Sequence, residues 1–346
     1  MLGKSRSFDA WMRDQQVAWR NESNNVECRE QGWQNGGQYK WILPSDKWEQ
    51  SLWPGIRTGT SNSLPEYLAR NEIQAHQGKH NLKSSWVLCA NLYFPFRETA
   101  EGRALLAGFL REYVSEDVQT VMELHLEYAE EGDLHPSVLL GEKGGKRGSG
   151  QTSPDLAFRV NGGHGLILVE SKLTEHSFYP CSARKREGKP GRPGNPDPGR
   201  CLNVSAVMAN PVSQCHQCHP EWGRKYWPLL LASANRQALV CLKCCPAAIA
   251  GYQLFRQQAL AEGIANRGSY DFVYSCVALD ARNEALLNCL AETGISDLKT
   301  GWATLFGGKA HFKVFEHQKW VAWVRDHGNM SVWRSWLIYV ADRYGY

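Results

Sequence analysis

Residues 152–181, TSPDLAFRVNGGHGLILVESKLTEHSFYPC, decide how the chain folds. DLAFRV and LILVESKL are apolar runs separated by the glycine-rich NGGHG, the pattern of a β-hairpin. Glu170 and Lys172 lie two positions apart on the returning run, so both side chains leave the same face of the sheet. The turn folds Asp155 back beside them. Two carboxylates and an ammonium thereby converge next to Ile167, Leu168 and Val169, where charge is costly unless it is paired or holds an ion. Two oxygen ligands beside a phosphate suit a hard cation such as Mg²⁺ or Mn²⁺. A lysine next to that cation can position an attacking water and offset negative charge in the transition state. The chemistry these parts fit is metal-assisted phosphodiester hydrolysis. The bland alternative is a surface ion pair between Glu170 and Lys172, worth about 0–1 kcal/mol.

Upstream of the hairpin, Leu105, Leu106, Phe109, Leu110 and Tyr113 recur at helical spacing and predict a helix over 99–114. VMELHLEY (121–128) alternates Met122, Leu124, Leu126 and Tyr128 with Glu123, His125 and Glu127, which reads as a half-buried strand. PSVLLGE (136–142) reads as a second short strand or the approach to one, and GGKRGSG (144–150) as a basic turn. Downstream, the prolines and glycines of 184–199 predict a long surface loop. Segments 226–242 and 247–265 read as helical, DFVYSCVAL (271–279) as a buried strand and 280–293 as a further helix. The aromatic C-terminus, 312–346, is expected to pack back on the core. Helix, three strands, a long insert, helix and strand make an α/β (α+β) arrangement: a mixed central sheet flanked by helices.

Residues 1–85 are polar and carry Trp11, Trp19, Trp33, Trp41, Trp48 and Trp53 with little periodicity. They read as an extension that wraps the core and pins itself by burying indoles; stacking of bases on exposed rings is the functional alternative. The expected division is this extension at 1–85 and a catalytic domain at 86–346, with a Cys-rich, basic insert at about 181–245. No apolar run approaches the ~20 residues of a membrane span, and the first residues lack the apolar stretch of a secretory signal. The expected location is cytoplasmic, with no membrane partner.

Of the eleven cysteines, Cys181, Cys201, Cys215 and Cys218 follow the hairpin closely, the last two as Cys-x-x-Cys. That spacing fits a structural Zn²⁺, with His216, His219, Cys241, Cys244 and Cys245 as substitutes and unliganded thiols as the alternative. Between Cys181 and Cys201 stand Arg184, Lys185, Arg186, Lys189, Arg192 and Arg200 against Glu187 and Asp197, a surplus equal to the +4 of the whole chain. A local basic run suits a polyphosphate such as nucleic acid, and a solvated loop without a partner is the alternative. Lys146 and Arg147 of the turn, with Arg184, Lys185, Arg186 and Arg256, are the candidate nucleic-acid contacts.

Pro154-Asp155, then fourteen residues, then Glu170-Ser171-Lys172 resembles the PD-(D/E)XK superfamily of restriction-endonuclease-like nucleases. From LLGEKGGKRG to the cysteines the chain also looks like bacterial proteins described as putative restriction endonucleases. The resemblance covers about residue 85 to the C-terminus and implies a mixed sheet flanked by helices. It implies that Asp155 and Glu170 bind Mg²⁺, with Ser171 contributing its backbone carbonyl, and that Lys172 serves the attacking water. It adds a further acid, with Glu127 and Glu142 ahead of Glu123 and Glu101, and a helical glutamine, Gln253, with Arg256 near the phosphate. DNA as substrate, a restriction or anti-phage role and a homodimer also come from the resemblance alone. An iron–sulfur cluster, which some relatives carry, is the second reading of the cysteines; all four favoured ligands follow the motif here, which counts against it. A non-catalytic nucleic-acid-binding module and a zinc-stabilised interaction protein are the competing functions.

Overall fold

In a computed structural model, which describes residues 7–24, 26–188 and 193–346, five strands form one sheet in chain order: β1 Val121–Leu126, β2 Leu156–Val160, β3 Gly165–Lys172, β4 Phe272–Leu279 and β5 Ala310–Glu316. The first three run antiparallel, and β3–β4 and β4–β5 pair in parallel. β3 is central and buried at every position, which is why LILV reads as an unbroken apolar run.

The side-chain period of two sorts the sheet into two faces. Leu124, Leu126, Leu156, Phe158, Ile167 and Val169 share one core cluster with helices α1 Phe8–Glu22, α2 Ser85–Tyr93 and α3 Ala100–Tyr113. Leu166, Leu168, Val273 and Val277 share the other with α4 Tyr252–Asn266 and much of the cysteine-bearing segment. The C-terminal helices, α5 His317–His327 and α6 Met330–Tyr344, pack on the first face as expected, with Trp320 and Trp336 fully buried. Among the described residues no helix is long and apolar enough to cross a membrane.

The tryptophan-rich front is held by the same core. Met12 and Trp19 lie in the first cluster. The buried Arg343 of α6 donates to Gln16 Oε1 at 3.0 Å and to the carbonyls of Ser51 and Leu82, tying three parts of the front segment to the C-terminus. Trp48 is buried, whereas Trp33 is 66% exposed.

Several expectations need correction. PSVL forms a helical turn, Pro136–Leu139, because the His135 side chain caps it by accepting the Ser137 N–H at 3.2 Å. Met122 is exposed rather than inward, since the β1–β2 register shifts between Val121 and Glu123 and breaks the alternation. Residues 226–242 split into Tyr226–Leu230 and Arg236–Val240, separated where Ala234 bridges Phe306. Segment 247–265 turns helical only at Tyr252, and 280–293 keeps a single α-turn, Glu284–Leu287. β5 was not anticipated as a strand within the aromatic C-terminus. Pro190, Lys189 and Arg192 of the basic loop lie outside the described residues.

Trp320 fills the first core against Tyr93, Phe96 and Phe109 and donates Nε1–H to the Leu92 carbonyl at 2.9 Å. Trp320→Ala is expected to lower unfolding free energy by about 3–5 kcal/mol, measured by urea denaturation; a loss under about 1 kcal/mol, the scale of a surface change, would contradict this packing.

Candidate active site

β3 carries Glu170 and Lys172 to its C-terminal end, where the sheet borders a cleft of about 400 Å³. Extending the β2–β3 register from Leu156–Val169 by one residue sets Asp155 opposite Glu170. The Ser171 N–H donates to Asp155 Oδ2 at 2.8 Å, locking that carboxylate to the returning strand. Lys172 Nζ donates to Glu170 Oε1 at 2.7 Å. The structure thus brings the three residues together as the hairpin argument required. Glu170 faces the layer that contains α4, so Gln253 in the first turn of that helix reaches the same Oε1 from its Nε2 at 2.7 Å.

Continuing the β1–β2 register places Glu127 opposite Asp155 in turn, and the Glu127 N–H donates to the Asp155 carbonyl at 3.2 Å. Glu127 takes a φ of 48°, ending β1 with its buried side chain beside the site. Three carboxylates are therefore lined up across three strands. Desolvation first, and then the Glu170 charge, push the Asp155 carboxyl up to about 8. Glu127 is raised well above its ordinary value by burial, then by Asp155 and Glu170. Burial works against the Lys172 ammonium, but Glu170, Glu175 and Asp155 outweigh it and hold its pKa above that of an ordinary lysine.

Other residues singled out from sequence have different occupations. Glu142 is fully buried and accepts from Thr152 Oγ1 at 2.8 Å and Tyr226 Oη at 2.5 Å, with the Arg256 guanidinium 3.3 Å away. It anchors Arg256 at the cleft wall and is not turned to Asp155. Glu101 accepts from Trp333 Nε1 at 3.0 Å, and Glu123 pairs with His125 at 3.0 Å. Arg147 donates to the Glu127 and Leu126 carbonyls, both at 2.9 Å, while Lys146 is exposed. Arg184, Lys185 and Arg186 do not line this cleft. Residues that the sequence reading missed do: His76 and Lys83 from the front segment, and Glu175, which accepts from Ser85 Oγ at 2.5 Å and from the Leu173 N–H at 2.7 Å. Glu175 was within reach of sequence reasoning, three residues past Lys172. The two front residues carry no local signal.

Cys181, Cys201, Cys215 and Cys218 are free thiols. Backbone bonds gather their segments: Cys181 N–H to the Ala247 carbonyl at 3.0 Å, Cys245 N–H to that of Cys201 at 2.8 Å and Cys218 N–H to that of Cys215 at 2.9 Å. Burial pushes the Cys181 thiol up to about 12, and a hydrogen bond with Cys218 followed by burial raises Cys215. Cys201, Cys218, Cys244 and Cys245 belong to the second core cluster, as small apolar groups would. Among the described residues, no three His, Cys, Asp or Glu side chains are arranged to hold a metal ion, here or at Asp155.

A carboxyl that is protonated in the fold and ionised in the unfolded chain makes stability fall as pH rises. The unfolded value is about 4 and the folded value of Asp155 about 8. In EDTA, the melting temperature of the wild type is expected to drop progressively below that of Asp155→Asn from pH 4.5 to 8 and to run parallel above it. A pH-independent gap would show that Asp155 is not desolvated in this way.

Residues 13–345 match the family REase-ARP, described as Restriction Endonuclease associating with ARP. No curated protein and no solved structure matches the chain. The family covers nearly the whole chain, including the front segment that walls the cleft, and is consistent with a restriction-endonuclease-like nuclease. By this match the chain belongs to the REase-ARP family.

Proposed function

We propose that the protein is a metal-dependent nuclease that hydrolyses phosphodiester bonds of DNA. One observation carries the reading: Asp155 and Glu170 sit opposite each other on paired strands, with Lys172 Nζ 2.7 Å from Glu170, at a cleft. Family membership supports it. The donors match a hard divalent cation in kind: two carboxylates and the carbonyl of Ser171, which follows Glu170 in the chain. Burial, and after it the Glu170 charge, raises Asp155, and both are penalties such a cation would relieve. Bound Mg²⁺ would supply Lewis-acid polarisation of the phosphate and a more acidic water.

The remaining chemistry falls to the chain's own side chains. Lys172 stays charged, so it serves as a hydrogen-bond donor and a counter-charge for the phosphate, not as a base. Its partner Glu170 keeps it aimed along the strand edge, and Gln253 fixes that carboxylate from the helix side. Asp155, held by the Ser171 amide, presents its other oxygen from the facing strand. Water contributes its oxygen to phosphorus, the bridging P–O bond breaks, and the leaving oxygen takes up a proton. The family's description also names an association with ARP, which co-purification of the two would check. A structural zinc on the cysteine cluster is a proposal that metal analysis of the purified protein decides.

Incubated with duplex DNA, the wild type is expected to cut with Mg²⁺ or Mn²⁺ and to be silent in EDTA. Asp155→Asn, Glu170→Gln and Lys172→Ala should each lose at least about 10²-fold in single-turnover rate, while DNA binding in EDTA persists. Cutting by Lys172→Ala at the wild-type rate, or cutting in EDTA, would overturn the assignment.

A further inference from the structure

We propose that His76 is a further catalytic residue of this cleft, donating its Nε2–H to an oxygen of the phosphodiester undergoing hydrolysis. The substrate in this inference rests on the nuclease reading above; the geometry rests on the surroundings of His76 itself.

His76 reaches the cleft from the front segment, across from Asp155, Glu170 and Lys172. Its place is set by a chain of backbone contacts. The Gln74 N–H donates to the Arg147 carbonyl at 3.1 Å, and the Arg147 guanidinium grips the Glu127 carbonyl at 2.9 Å. Gly148 must be glycine for this approach: its φ is +79°, and an added Cβ would stand 2.2 Å from the Gln74 carbonyl oxygen. The segment bearing His76 is thereby clamped to the strand end that carries Glu127.

The ring's own bonds fix which nitrogen holds the proton. The Gly78 N–H donates to His76 Nδ1 at 3.1 Å, so Nδ1 is an acceptor and the neutral ring carries its hydrogen on Nε2. No acceptor among the described residues pairs with that Nε2–H, and the side chain is open to the cleft. Desolvation by the cleft walls, followed by the nearby Lys172 charge, lowers the pKa of the imidazole and so disfavours the protonated ring.

The other cationic side chains of the cleft, Lys172 included, each hold a carboxylate as well. Lys172 pairs with Glu170 at 2.7 Å, Arg256 with Glu142 at 3.3 Å and Lys83 with Asp9 at 2.5 Å. Among the cationic and imidazole side chains that line the cleft, His76 is the donor left without a carboxylate partner in the described residues. A phosphodiester offers acceptors only, which matches an N–H with nothing to bond. As the water oxygen joins phosphorus and the bridging bond breaks, negative charge gathers on the oxygens that Nε2–H faces. The ring stabilises that charge and keeps its proton.

The test uses the full chain with Mg²⁺. His76→Ala is expected to slow single-turnover cleavage by about 10²-fold with little change in duplex affinity measured in EDTA. His76→Gln returns an amide N–H close to the position of Nε2 and should recover most of the rate; His76→Asn can keep the acceptor for Gly78, but its shorter side chain places no N–H at the reach of Nε2, and it should not. With isotope-labelled histidine, a short duplex added in EDTA should shift the Nε2 resonance of His76. If the wild type cuts, Asp155→Asn does not, and His76→Ala matches the wild type, the His76 inference falls alone. If the wild type cuts with no metal tried, the nuclease reading falls and takes this role with it. An unmoved Nε2 resonance in the bound duplex complex overturns the contact whatever the rates.

Discussion

The antiparallel pairing of β2 with β3 faces Asp155 to Glu170, and the site depends on that enforced repulsion. Hydrophobic residues on both sides of β3 fix the register, because a slip of one position would turn Ile167 and Val169 into the wrong layer. The core therefore determines where the carboxylates stand, against their mutual electrostatic preference. The local answers to the repulsion are Lys172 on Glu170 and the Ser171 amide on Asp155. They do not restore an ordinary acidity: burial first, and then the Glu170 charge, hold the Asp155 carboxyl up to about 8.

Each layer adds a different wall around that pair. α4 supplies Gln253 to Glu170 and, one turn on, Arg256 to the buried Glu142. Glu142 is held in addition by Thr152, so the loop entering β2 and the helix behind β3 are tied through one carboxylate. The front segment closes the opposite side with His76 and Lys83, and Arg343 of α6 ties that segment to the C-terminal helix. A packing change in the aromatic first core would consequently be felt at the cleft through α2, whose N-terminal Ser85 contacts Glu175.

The hairpin and its three charged residues were legible because everything that defines them is local: period-two burial, a glycine turn and a two-residue spacing. Helix α3 was equally plain, with Thr99 capping it through the Gly102 N–H at 3.0 Å. Glu127 could be named but not distinguished from Glu142, since both are buried acids and only the β1–β2 register separates them. Glu142 meets Arg256 across 114 positions of chain, and no periodicity encodes such a pairing. β5 was hidden because AHFKVFE lies next to helices rich in the same aromatic residues, and its parallel partner β4 stands 37 positions earlier by register (Val273 with Ala310), too far for a local turn to reveal. His76 was hidden for a related reason. Its role comes from a backbone clamp at Gln74 and Arg147 in a stretch without regular structure.

Burying this many charges near one strand end is a poor way to stabilise a fold. A buried ion pair replaced by apolar residues often leaves a protein no less stable, and Lys172–Glu170 sits where apolar side chains would continue the run of Leu166 and Leu168. Glu127 and Asp155 add acids whose burial favours the neutral form. Gln151, also lining the cleft, leaves both amide atoms buried without a partner. Each of these departures from good packing falls at the same cleft and on residues that face it. Charged groups are buried elsewhere too, Arg343 and Asp280 among them, but those have protein partners, whereas a polyanionic ligand together with a cation would satisfy the cleft's donors and acids at once, which is the physical reason to propose the chemistry of the molecule here.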